Sequence, residues 1–142
     1  MSTTRISEIK KENGQSLTEF AIGFSVLILL IAGIVDLGRA FFTFMALNDA
    51  VQEGALYGSL HPTNEAGIET RVQGVAAGPI DMSQVTVESD TSGPACAGHQ
   101  IVITATYDFQ ITMPFIGAIA GTQTFPISAT VEDYILSPPC SE

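Results

Sequence analysis

The sequence predicts an α+β protein: a long N-terminal helix that crosses a membrane and continues outward into a small exported domain of one helix and three antiparallel strands. Three observations carry this. Residues 20–35 read "FAIGFSVLILLIAGIV" without a charge. No proline follows until Pro62, so nothing stops the helix at the membrane exit. After Asp81 the apolar period changes from that of a helix to the two-residue period of strands.

Composition supports the membrane element. Of 142 residues, 46% are hydrophobic and only 14% charged, with a mean hydropathy of +0.33, which is apolar and charge-poor for a soluble domain. The net charge is −10 with five Lys or Arg. No basic patch exists to neutralise phosphates, so nucleic-acid binding is not expected. The cations are unevenly placed: Arg5, Lys10 and Lys11 precede the apolar run. By the positive-inside rule the N-terminus stays cytoplasmic and everything after the helix lies outside.

The uncharged run spans about 24 Å as a helix, short of a hydrocarbon core of about 30 Å. The span therefore extends to residues 17–37, and Glu19 or Asp36 must lie in or beside the lipid. An ordinary cleaved signal peptide would end in small residues of A-x-A type. Here the run leads instead into "DLGRAFFTF". Asp36 and Arg39, three residues apart, share a helix face and are expected to pair at the membrane exit.

One helix is expected over residues 15–59, about 65 Å long. Along it Ala46, Ala50, Gly54 and Gly58 recur every four residues. Two glycines cost a helix about 1 kcal/mol each relative to alanine, so this stripe is read as a packing face for a closely approaching element. "GSLHPTN" ends the helix, and residues 60–142 form the exported domain. A second helix is expected from Asn64 to about Ala77, with Ile68, Val72 and Val75 on one face. The strands are "QVTVES" with Val85 and Val87 inward, "HQIVITATYDFQ" with Ile101, Ile103, Ala105, Tyr107 and Phe109 on one face, and "TFPISATVEDYI" with Phe125, Ile127, Ala129 and Val131 aligned. Pro126 makes the last an edge strand or a bulged one. The connection "ITMPFIGAIAG", residues 111–121, is apolar where a polar loop is expected. It either meets the membrane or a partner subunit, or folds back over the core.

Cys96 and Cys140 are the two cysteines. Two thiols without a C-x-x-C spacing do not make a zinc site, so an exported domain would join them in a disulfide; two unrelated thiols are the alternative. Catalytic signatures are missing. His61 and His99 are isolated and read as surface residues. "ESDTSG" lacks the spacing of a calcium loop and reads as a turn between strands. No metal, cofactor, small-molecule substrate or enzymatic activity is expected.

Glu19 has an ordinary account: Ser16-Leu17-Thr18-Glu19 matches a capping box, with Ser16 as the cap. That leaves unexplained Gly14, the basic leader and the unbroken helix. Together they resemble the type IV prepilin signature. There a peptidase cuts after glycine and leaves glutamate fifth in the mature chain; Gly14 and Gln15 would flank the cut and Glu19 would be fifth. More specifically, "GQSLTEFAIGFSVLILLIAGIVDLGRAFFTFMALNDAVQEGALYGS" resembles the TadE-like family of pilus-assembly proteins, with a G-x-x-x-x-E-[FY] start, an apolar stretch and a D-x-G-R-A-[FY] exit. Phe20 stands where tyrosine is common. The resemblance is looser over the C-terminal domain.

It implies a pseudopilin or minor pilin of a tight-adherence pilus in the bacterial cytoplasmic membrane. Residues 1–14 would be a leader removed by a prepilin peptidase. Its partners would be other pilin or pseudopilin subunits, met through the N-terminal helix. After cleavage the new α-amino group would neutralise Glu19 on its own or a neighbouring helix. The alternative function is an uncleaved single-pass envelope protein with an exported binding or adhesion domain.

Overall fold

A computed structural model describes residues 15–75, 78, 80–113 and 116–140. The leader, including Gly14, lies outside the described residues.

Helix α1 runs unbroken over Gln15–Gly58, 44 residues. Helix α2 covers Glu65–Gln73 and starts at Asn64, whose side chain accepts from Gly67 N–H at 3.0 Å. It is shorter than the expected segment to Ala77: Gly74 sits at its C-cap. Val75 therefore lies beyond the helix, though it still packs partly buried against the core. A 3-10 turn at Met82–Gln84 follows, capped by Asp81. The Ser83 hydroxyl and N–H bond to the Asp81 carboxyl and hold it below its usual titration range.

Strands β1 (Thr86–Thr91), β2 (Gln100–Gln110) and β3 (Thr124–Tyr134) form one antiparallel sheet in the order β1-β2-β3. Pro126 lies on edge strand β3, opposite Asp108 in an unbroken register, so its missing N–H breaks no ladder. The first four residues of "ESDTSG" belong to β1 rather than to the turn after it. Between β2 and β3 a short helix, α3 (Ile116–Ala120), stands where an irregular connection was expected.

The core lies between one sheet face and the C-terminal half of α1. Ile101, Ile103, Ala105 and Phe109 alternate inward from β2, and Ala129 from β3. Leu47, Ala50, Val51 and Ala55 meet them from α1, with Ile68 and Val72 from α2 closing the side. The principal cover of the sheet is thus the long helix, with α2 beside it. Cys96 and Cys140 are joined in a disulfide across a separation of 44 residues. On the chain-entropy account a loop of that size contributes about 4 kcal/mol. The adjoining C-terminal segment bonds back to the end of α1, Leu136 N–H donating to Ser59 C=O at 2.7 Å.

Candidate functional site: the exposed helix and its exit clamp

Among the described residues, almost none surround the N-terminal half of α1. Its most apolar 18-residue window has a mean hydropathy of 2.5 and is only 6% buried. Leu17, Phe20, Ile22, Leu30, Ile34 and Leu37 are each more than three-fifths exposed. A core helix of a soluble domain would be covered, so this surface fits a single membrane-spanning helix. Glu19 is exposed on it, and the next charge along the helix is Asp36. Ser16 is already helical. It therefore does not stand at a non-helical cap position, and the capping-box account of Glu19 fails on the backbone. Gln15, the first described residue, opens the helix.

Asp36 is the one charged residue of α1 that is buried. Its Oδ1 accepts from Arg39 Nη1 at 2.9 Å. Its Oδ2 accepts from the backbone N–H groups of Thr112 at 2.9 Å and Met113 at 2.6 Å. The same Arg39 nitrogen donates to the Thr112 hydroxyl, and the guanidinium sits 5.1 Å from the centre of the Phe109 ring. Reading the sequence gives the Asp36–Arg39 pair, because i,i+3 spacing is local. It does not give the partners 76 and 77 residues away. A carboxylate on two backbone donors makes charge-assisted bonds stronger than neutral ones, and it fixes the end of β2 to the helix. Beside this clamp Gly33, Leu37, Ala40, Ile111, Met113, Ile116 and Phe125 line an apolar cavity of about 240 Å³.

The small-residue stripe points into the protein. Ala50, Gly54 and Gly58 are buried and Ala46 half-buried. A Cβ on Gly54 would come within 2.5 Å of Val72 Cγ2, and one on Gly58 within 2.9 Å of Ile101 Cδ1. The closely approaching element is the protein's own α2 and β2. Beside the stripe, Thr43, Leu47 and Val51 are fully covered; their i, i+4 spacing was the signal that would have added them. His61 is exposed and stacks on Tyr57 at 4.7 Å between ring centres. His99 is half-buried and lies with Cys96 and Cys140 within ligand distance of one another. Both sulfurs are bonded to each other, so that cluster offers no thiolate to a metal.

No curated protein and no solved structure gave a significant match to the chain. The family model described as TadE-like protein matches residues 14–56. That interval opens at the glycine before α1, contains Glu19, the exposed apolar run and the Asp36–Arg39 pair, and ends in the buried stripe. Over residues 14–56 the chain is similar to the TadE-like family, the one that its sequence resembles.

Proposed function

We propose that this protein is a membrane-anchored pseudopilin or minor pilin that acts in assembling a tight-adherence, type IV-like pilus and is processed after Gly14. The TadE-like match supports association with the tight-adherence pilus system, a setting of structural assembly rather than of enzymatic turnover. The observation that carries the finer reading is the helix half that is apolar, exposed and interrupted by one carboxylate, Glu19, four residues after Gln15.

A carboxylate in hydrocarbon costs at least about 2.5 kcal/mol unless it finds a partner. Cleavage between Gly14 and Gln15 by a prepilin peptidase would create an α-amino group, and pairing that amine with Glu19 of a neighbouring subunit would draw helices together in the membrane. The exported domain would then be presented outside, with Lys10 and Lys11 keeping the leader in the cytoplasm until it is cut.

Intact-mass measurement and N-terminal sequencing of the protein from its native membrane test this reading. A chain beginning at Gln15 is expected, and Gly14→Leu is expected to retain the leader, since a peptidase needs close backbone approach at that glycine. A wild-type chain that keeps residues 1–14 would overturn processing and favour the uncleaved envelope protein.

A further inference from the structure

The geometry points to a second membrane contact: residues 111–113 and α3 dip into the outer leaflet beside α1, so that the exported domain is held to the lipid surface at two places instead of hanging from one helix. Three observations carry this. The first is depth. The Met113 methyl carbon would lie 3.6 Å from a Cβ on Gly33, and Gly33 precedes Leu37, the outer end of the span, by four residues, or about 6 Å of helix. Any placement of α1 that puts Gly33 in lipid puts Met113 there too. Ile116 lines the same cavity as Gly33 and Leu37, which brings α3 to that level as well.

The second is chemistry. No charged residue occurs between Asp108 and Glu132. No residue of α3 is buried, and Ile119 is 83% exposed, an apolar surface that water penalises and lipid does not.

The third is backbone satisfaction. Irregular backbone is tolerated at membrane depth only where its polar groups are paired. Here the Thr112 and Met113 N–H groups go to Asp36, Ile111 N–H goes to Gln123 C=O at 2.8 Å, and Gly121 N–H goes to Gly117 C=O at 3.1 Å. The buried carboxylate at the helix exit thereby has a purpose beyond its ion pair: it pairs the Thr112 and Met113 donors at the point where the loop meets α1.

This inference rests on α1 as a membrane helix and is independent of leader processing. The test uses the full chain in vesicles of phosphatidylethanolamine and phosphatidylglycerol. Both native cysteines are bonded, so Ile119→Cys offers one free thiol for an environment-sensitive fluorophore, with Ala118→Cys, also exposed, as a second site should the first disturb folding. Labels at Ile22→Cys and Thr70→Cys mark the lipid and the aqueous side.

The label at 119 is expected to be blue-shifted and to lose most of its emission to a nitroxide-bearing lipid, as at 22, and to resist aqueous iodide. The label at 70 should behave in the opposite way. Quenching by iodide at 119 with lipid quenching at 22 would overturn the second contact alone. Protection from both quenchers at 119 would overturn it in favour of a protein partner. Loss of lipid quenching at 22 as well would overturn the membrane reading of α1 and this inference with it.

Discussion

One helix, α1, is two different objects along its length. In the half before Asp36, large apolar side chains stand exposed, and a Cβ on Gly23 would meet nothing within 4 Å, while one on Gly33 would make only ordinary contact with Met113. In the half after Arg39, the row Thr43, Leu47, Ala50, Val51, Gly54 and Ala55 is covered. There a Cβ on Gly54 would collide with Val72. The backbone is the same α-helix throughout; what changes is the solvent each half is built for. The second half finds its apolar partners within the chain. The first finds little among the described residues beyond Met113 beside Gly33, so most of its apolar surface is left for an environment outside the chain, as a membrane helix requires. The Asp36–Arg39 clamp marks the border between the two.

Substitutions at the two glycines break this comparison most forcefully. Gly54→Leu forces a side chain into Val72 and Ile103, and overpacking of a core costs about 1–3 kcal/mol, occasionally more. We expect the upper end, about 3 kcal/mol, read as a lowered midpoint of chemical unfolding of the C-terminal domain in detergent. Gly23→Leu should leave that midpoint within about 0.5 kcal/mol of wild type, as surface changes do. Equal losses at both positions would mean that the two halves do not differ as described.

Next in size is the clamp. Asp36→Ala removes the acceptor of two backbone donors and the partner of Arg39. A buried donor left without its acceptor costs about 1–3 kcal/mol, so a loss of about 2 kcal/mol is expected. Hydrogen exchange is the sharper readout: the Thr112 and Met113 amides should exchange faster while the Ile103 amide in mid-sheet stays protected. Unchanged exchange at 112 and 113 would remove Asp36 from its role as an anchor.

Much of this was legible in the sequence because it depends on local period. The charge-free run, the absence of proline before Pro62 and the alternation in β2 each follow from neighbouring residues, and so do the Asn64 cap and the i,i+3 spacing of Asp36 and Arg39. The pairing of Cys96 with Cys140 followed from the inferred compartment rather than from geometry. What stayed hidden depends on contacts distant in sequence. The amide donors of Thr112 and Met113 carry no side-chain signature, so the second function of Asp36 was invisible. The apolar connection could be seen to be unusual, but its short helix α3 and its place against Gly33 are set by the tertiary fold. The second helix read too long because the apolar spacing continues to Val75, whereas the backbone turns at Gly74. The capping box at Ser16 misled for a related reason: its residue types fit, yet Ser16 is itself helical, one residue inside a helix that includes Gln15.

The smallest expected change in stability belongs to the residue with the largest expected effect on function. Glu19 is exposed in the isolated chain, so Glu19→Ala should leave the C-terminal domain as stable as before and, under the proposed processing, should not prevent a cut after Gly14. The direct measurement is pilus assembly in cells carrying Glu19→Ala as the sole copy, beside the intact mass of the mature protein. The account predicts a normally processed chain beginning at Gln15 and at least about tenfold fewer pili, the equivalent of about 1.4 kcal/mol of lost association. A normally processed variant that assembles pili at the wild-type level would contradict it.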